Sequence, residues 1–258
     1  GAHVRPADPQ HHDAVDLAAQ PIVSESIANP VDTFHTNVLG TVHVMEALRS
    51  QPSVKAAVII TSDKCYENVE WEYGYREDDA LGGKDPYSAS KAAAEAVFHS
   101  YFRTYFASEV ARIRLATARA GNVIGGADWA KDRLIPDCMR AWGEQRTPLI
   151  RSPHATRPWQ HVLEPLSGYL ALGAKLYTDE PRLNGESFNF GPSAEVNHTV
   201  AQVLEESKQH WPNVRYELQD NPLTKKESGL LKLNCDKALS RLGWLPTLTF
   251  GETMEMTI

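Results

Sequence analysis

Apolar positions recur along this chain with two different periods. The unbroken run Ala56-Ala57-Val58-Ile59-Ile60 and the segment 112–119 read as strands of a parallel sheet covered on both faces. Ser187-Phe188-Asn189-Phe190, closed by Gly191-Pro192, and the segment 214–218 read as further short strands. Between them the spacing becomes helical. Val31, Phe34, Val38, Met45 and Leu48 predict a helix over 31–49 with one buried stripe. Asp85 can cap a second helix and Pro86 suits its first position; the Ala-rich stretch carries it to Phe102. Thr199 caps a third, reaching about His210, and a last helix starts after Phe250. Strands alternating with helices predict an α/β fold built on a doubly wound parallel sheet, whose ligands bind outside the carboxyl ends of the strands. The polar, aromatic, Gly-containing stretch 68–84 reads as a loop over that end.

Bulk properties narrow the function. The chain has 258 residues, 42% of them hydrophobic, enough for a large core. A formal net charge of −7 and a pI near 5.8 give no electrostatic footprint for nucleic acid. No apolar run reaches membrane length and no signal-peptide pattern opens the chain, so neither a membrane partner nor export is expected. Cys65, Cys138 and Cys235 are odd in number and widely spaced, which argues against a disulfide framework or a zinc site and fits a reducing cytoplasm. His11-His12 and His161 lack the spacing of metal ligands, and no metal is expected.

The candidate chemistry lies at three strand-to-loop junctions. Tyr87 and Lys91 stand four apart and share a helix face. A cation beside a phenol favours the phenolate and makes tyrosine a usable acid/base. A Tyr-x-x-x-Lys pair alone is common on ordinary surface helices, so its company decides. Upstream, the 56–60 run ends in Thr61-Ser62-Asp63-Lys64-Cys65-Tyr66, which brings a hydroxyl, a carboxyl and an amine to a strand end. Downstream, the 112–119 strand runs into Gly121-Asn122-Val123-Ile124-Gly125-Gly126.

With these stand Leu17-Ala18-Ala19-Gln20-Pro21, Thr36-Asn37-Val38-Leu39-Gly40-Thr41, Lys84-Asp85-Pro86-Tyr87-Ser88-Ala89-Ser90-Lys91 and Arg157-Pro158-Trp159-Gln160-His161-Val162. Together they resemble the extended short-chain dehydrogenase/reductase superfamily, and within it the nucleotide-sugar 4,6-dehydratases. The resemblance runs from about Asp13 to Trp244. It implies a Rossmann-like sheet with a smaller C-terminal substrate lobe: a partial NAD-binding domain over 1–150 and a mainly substrate-binding lobe over 151–258, with segments interleaved.

The implied reaction is NAD-dependent 4,6-dehydration of a nucleotide-linked hexose, CDP-glucose above all, in deoxysugar and lipopolysaccharide O-antigen biosynthesis. The implied assembly is a homodimer or homotetramer. Tyr87 would be the base at the C4 hydroxyl, with Lys91 lowering its pKa and binding the nicotinamide ribose. Ser62 would hydrogen-bond the C4 oxygen. Asp63, its pKa raised by burial, would protonate the departing C6 hydroxyl. Lys64 stands where the dTDP-glucose branch has a glutamate; it is either the C5 base or an electrostatic support for the enolate. Ala18, Ala19, Asn37 and Thr61 join Tyr87 and Lys91 at the cofactor, with Asn37 supporting the active-site helix. Arg157 would grip the diphosphate, Asn122 the diphosphate or hexose, and Asn189 the nucleotide. Trp129 and Trp159 read as packing residues.

Three departures from the family pattern stand out. Asp16 replaces a histidine, Ala127 replaces a glycine in Gly-Gly-Gly-Asp-Trp, and no Gly-rich dinucleotide turn occurs. The last implies either that the first βαβαβ portion lies outside these 258 residues, the favoured expectation, or that the protein natively lacks it; in both cases these residues would hold NAD poorly by themselves. A nucleotide-sugar 4-epimerase using the same Tyr/Lys pair is the nearest alternative. A non-catalytic sugar-nucleotide-binding relative is the other. An epimerase needs no acid at C6, so the Asp63-Lys64 pair favours the dehydratase.

Overall fold

A computed structural model describes residues 13–108, 113–178, 181–193, 195–219 and 230–258; His11-His12 lie outside these. Four parallel strands form the main sheet in sequential order: β1 (Asp13–Asp16), β2 (Ala56–Ile60), β3 (Arg114–Ala120) and β4 (Ser187–Phe190). Residues Ala56 to Ile60 pair with Arg114 to Ala118, and Thr117 to Ala120 with Ser187 to Phe190. The unbroken apolar run of β2 is explained by its position. Ala56 and Val58 point into one core with Tyr169, Leu172 and Leu176 of the helix Leu163–Tyr177. Ala57 and Ile59 point into the other with Met45, Leu48 and Phe98, from the helices Gly40–Ser50 and Pro86–Tyr101. Successive side chains alternate faces, so a strand covered on both sides must be apolar at every position.

The second half of the chain is shared between two cores. The helix Leu163–Tyr177 and strand β4 return to the main sheet. The helices Leu134–Gly143, Val200–His210 and Phe250–Thr257 pack with Trp159 in a smaller cluster around Ile135, Trp142, Val203, Leu204 and Met254. Thr199 caps Val200–His210 in a reciprocal capping box with Gln202, as its position before the apolar stripe predicts. No helix among the described residues is long and apolar enough to cross a membrane.

Three sequence expectations are corrected. The 31–49 helix is not one stripe. It comprises Pro30–Phe34, a π-helical turn at His35–Leu39, and Gly40–Ser50. The wider turn shifts the buried face, so Thr33, Asn37 and Thr41 go inside while Val31 is 77% exposed and Phe34 39%. The 214–218 strand shrinks to Glu217–Leu218, paired with Leu149–Ile150 at the edge of the smaller core. Trp129 is 64% exposed and packs nothing away; Trp159 is buried and donates its ring N–H to His198 O.

Candidate active site

The carboxyl ends of β1, β2 and β3 open toward one place, and the helix Pro86–Tyr101 lies beside it. Asp85 starts that helix by accepting from Ser88 N at 3.0 Å and Ser88 Oγ at 2.7 Å, and Pro86 needs no acceptor in the first turn. Tyr87 and Lys91 follow on its buried face, 7% and 5% exposed. Tyr87 N is received by Ser26 Oγ at 3.1 Å, which fixes the first turn from outside.

After β2 the chain winds into a single 3-10 turn, Asp63–Cys65, capped by Ser62. Ser62 Oγ donates to Asp63 Oδ1 at 2.9 Å and accepts from Lys64 N at 3.3 Å. Asp63 is 2% exposed, and its Oδ2 has no hydrogen-bond partner among the described residues. Burial therefore holds the carboxyl above its usual range, with Lys64, Ser62 and Arg157 pulling the other way. Gly121, just past β3, is what admits this carboxyl: a Cβ there would stand 1.9 Å from Asp63 Oδ2. Lys64 is half-buried beside it. Arg157 comes from the short strand Thr156–Arg157, paired with His198–Thr199, and its charge reaches Asp63. Asn122 follows Gly121 in the left-handed region, at φ 45°.

Asn37 sits on the π-helical turn and is 3% exposed. Its Oδ1 accepts from Gln20 N at 2.8 Å, while Nδ2 donates to Gln20 O at 3.1 Å and to Ser90 Oγ at 2.8 Å. It thus ties the Ala18-Ala19-Gln20 loop after β1 to the Tyr87 helix. Ala18 N donates to Asp16 Oδ1 at 3.1 Å. The carboxylate that replaces the family's histidine thereby finds a backbone partner and lies within the field of Lys91.

Three predicted roles change. Lys91 is not among the groups that chiefly set the Tyr87 phenol: its ammonium lies 3.4 Å from Ile60 O and feels Asp16 and Glu95. Burial instead pushes Tyr87 up to about 12, with a hydrogen bond to Ser62 lowering it and Asp63 adding to the rise. The Thr61 hydroxyl is spent on Glu95 and its backbone N–H on Ala118 O, which leaves only its carbonyl for a cofactor. Asn189 is fully buried and saturated. Its Oδ1 accepts from Tyr66 Oη at 2.7 Å, and Nδ2 donates to Tyr75 O at 2.9 Å and Asn234 O at 3.1 Å. Both amide hydrogens and the oxygen thus have partners inside the protein, where a nucleotide does not reach the fully buried side chain without displacing them.

Sequence reading missed the polar centre beneath the site. Glu95, one turn past Lys91, is fully buried and accepts from Arg119, Thr61, Thr117 and Ser187. Arg119 also donates to Tyr66 Oη at 2.8 Å and Glu77 O at 2.9 Å. The available signal was a glutamate on the Tyr87/Lys91 face of an otherwise Ala-rich helix. Among the described residues no cluster of His, Cys, Asp or Glu could hold a metal, and all three cysteines are free.

The residues present suit a nicotinamide cofactor. Ala18 and Ala19 put small side chains at the end of β1. The long Lys91–Ile60 contact leaves ammonium donors for a ribose hydroxyl.

Comparison with known proteins agrees. The family described as GDP-mannose 4,6 dehydratase matches residues 7–257. CDP-glucose 4,6-dehydratase of Salmonella typhimurium is 46% identical over 241 residues, covering 92% of this chain and 67% of that protein. dTDP-glucose 4,6-dehydratase of Haemophilus influenzae is 27% identical, over 94% of this chain and 73% of that protein. Among solved structures, a dTDP-glucose 4,6-dehydratase of Streptomyces venezuelae with NAD bound superposes with a TM-score of 0.78 at 22% identity. It covers 96% of this chain and 72% of that one. A UDP-glucose 4-epimerase of Thermotoga maritima reaches 0.79 at 19% identity, over 95% and 75% of the two chains, so the fold is common to both chemistries. Strand-end chemistry, fold and sequence likeness converge, and the chain belongs to the GDP-mannose 4,6 dehydratase family of extended short-chain dehydrogenases/reductases.

Proposed function

We propose that this protein is a nucleotide-sugar 4,6-dehydratase that converts CDP-glucose to CDP-4-keto-6-deoxyglucose with NAD. One observation carries the reading. Asp63 is a buried carboxyl with a bare oxygen, held toward its protonated form at a strand end beside Tyr87. Elimination of water across C5 and C6 needs such an acid, and 4-epimerisation does not. The 46% identity to a CDP-glucose 4,6-dehydratase supports the cytidine nucleotide.

In this reading Tyr87, as its phenolate, takes the C4 hydroxyl proton, and Ser62 holds the C4 oxygen as it becomes a carbonyl. Bound NAD would supply the hydride acceptor for C4 and the hydride donor for C6. Lys91 would hydrogen-bond the nicotinamide ribose, Ala18, Ala19 and the Thr61 carbonyl would lie beside it, and Asn37 keeps the Gln20 loop in register with the Tyr87 helix. The C4 carbonyl acidifies the C5 proton, which Lys64 removes and gives back to C5 when hydride is delivered to C6. Asp63 gives its proton to the departing C6 hydroxyl. Arg157 and Asn122 hold the diphosphate and hexose; bidentate Arg–phosphate geometry suits that task.

We place the protein in a reducing cytoplasm, in deoxysugar or lipopolysaccharide synthesis, on its three free cysteines and its relatives. We read it as a homodimer or homotetramer, with exposed Ile27, Val31 and Phe34 as the apolar surface an assembly would cover. Incubation with CDP-, dTDP-, UDP- and GDP-linked glucose, following the alkali-sensitive keto product, tests the function. A preference for dTDP-glucose would overturn the substrate assignment.

A further inference from the structure

Gln160 is 2% exposed, on the short strand Gln160–His161 that pairs with Val123–Ile124. Its side-chain nitrogen spends both hydrogens on carbonyls at the ends of two neighbouring sheet strands: Gly121 O at 2.9 Å, after β3, and Phe190 O at 3.1 Å, in β4. Its backbone N–H donates to Asn122 O at 3.3 Å. Its Oε1 is buried without a partner among the described residues. One glutamine therefore brackets the Gly121–Asn122 turn from main chain and side chain together. The turn is a demanding one, with Asn122 at φ 45° and Gly121 filling the space against Asp63 Oδ2.

We propose that Gln160 is a positioning residue, clamping Gly121 against the Asp63 carboxyl so that its bare oxygen stays dry and aimed at the departing hydroxyl. This rests on Asp63 being the acid of the proposed reaction. The position demands a paired donor of this length. Glutamate would set a carboxylate against two carbonyls, and an apolar residue would leave both carbonyls unmet. The groups whose charges or hydrogen bonds bear on Asp63 are Lys64, Ser62 and Arg157, and it in turn acts on Cys65, Tyr87 and Tyr169. None of them lies on the Gln160 strand, so Gln160 reaches Asp63 through the Gly121 peptide and not by charge.

The test titrates the protein without substrate. The infrared carbonyl band of protonated Asp63, identified by its loss in Asp63→Asn, is followed against pH in wild type and Gln160→Met. Releasing the clamp hydrates the carboxyl. The band in Gln160→Met is then expected to disappear about one pH unit lower, a tenfold change in protonated fraction. The alkaline limb of kcat should move with it, while transient NADH formation at saturating sugar nucleotide stays within about twofold, since that step does not use this proton. Gln160→Asn keeps the amide but is one methylene too short for both carbonyls, and should also move the band, which keeps the test open if Gln160→Met does not fold. A band that titrates as in wild type in the variants that fold overturns the proposal. Asp63→Asn with undiminished elimination would instead sink the reading of Asp63 as the acid, and the infrared comparison would still decide whether Gln160 clamps it.

Discussion

Arg119 grips Glu95 with two nitrogens, Nε 2.9 Å from Oε1 and Nη2 2.8 Å from Oε2, with neither side chain more than 1% exposed. The pair sits where the Tyr87 helix, β2, β3 and β4 meet, because Glu95 also accepts from Thr61, Thr117 and Ser187. Breaking a buried pair strands the surviving charge. Glu95→Gln is therefore expected to cost about 3–5 kcal/mol at neutral pH, and an apolar replacement of both partners markedly less. Urea unfolding of the two variants measures the difference.

The same pair sets an acid limit. Burial alone would raise the Glu95 pKa, but Arg119 overcomes it and lowers it from 4.5 to about 2. A depressed carboxylate adds stability above its unfolded pKa and loses it as pH falls through the folded one. The contribution of Glu95 should thus be whole above pH 4.5 and fade toward pH 2. Over that window Glu95→Gln should show a flatter stability profile than wild type, in urea midpoints taken at several pH values.

Tyr87 and Lys64 are expected to separate in time. Tyr87→Phe should abolish both transient NADH and product, since oxidation at C4 comes first. Lys64→Ala should still form NADH but slow elimination by roughly 10²–10⁴ and suppress C5 exchange with deuterium. Rapid-mixing absorbance with mass spectrometry of the product reads both steps. Wild-type C5 exchange in Lys64→Ala would make Lys64 a supporting charge.

Asn189→Ala discriminates between packing and nucleotide recognition. The amide joins Tyr66 to the main chain at Tyr75 and Asn234, so truncation leaves buried partners unpaired. The expected result is a loss of about 1–3 kcal/mol in stability with KM for the nucleotide sugar unchanged. A raised KM at undiminished stability would restore Asn189 to the binding site.

Ala127 carries a measurable strain. It adopts φ 63°, a region where a Cβ crowds the following carbonyl, at the position where the family pattern has glycine. Ala127→Gly should stabilise the protein by about 1 kcal/mol, seen as a small rise in Tm, with kcat unchanged.

Much of this molecule is written locally. The apolar run of β2, the Asp85-Pro86 helix start and the Thr199 cap depend on residues within a turn or two, and the structure shows them where spacing predicts. The four-residue interval that puts Tyr87 and Lys91 on one face is equally local, as is the capped turn that presents Asp63 after β2.

What the sequence leaves open are the partners of polar groups, because a hydrogen bond joins residues that only the fold brings together. Asn189 and Tyr66 are 123 positions apart, and Asn37 and Ser90 are 53 apart. Whether an asparagine faces a ligand or a neighbour is decided there. The π-helical turn at His35–Leu39 rotates Asn37 inward and Phe34 outward against the apolar periodicity, for the gain of three hydrogen bonds to the Gln20 loop and the Tyr87 helix. Lys91 lies under the end of β2, where Ile60 O, Asp16 and Glu95 surround it. The sequence determined which groups are available at the strand ends. The tertiary structure decided which are buried, which are already satisfied, and which, like the bare oxygen of Asp63, remain for chemistry.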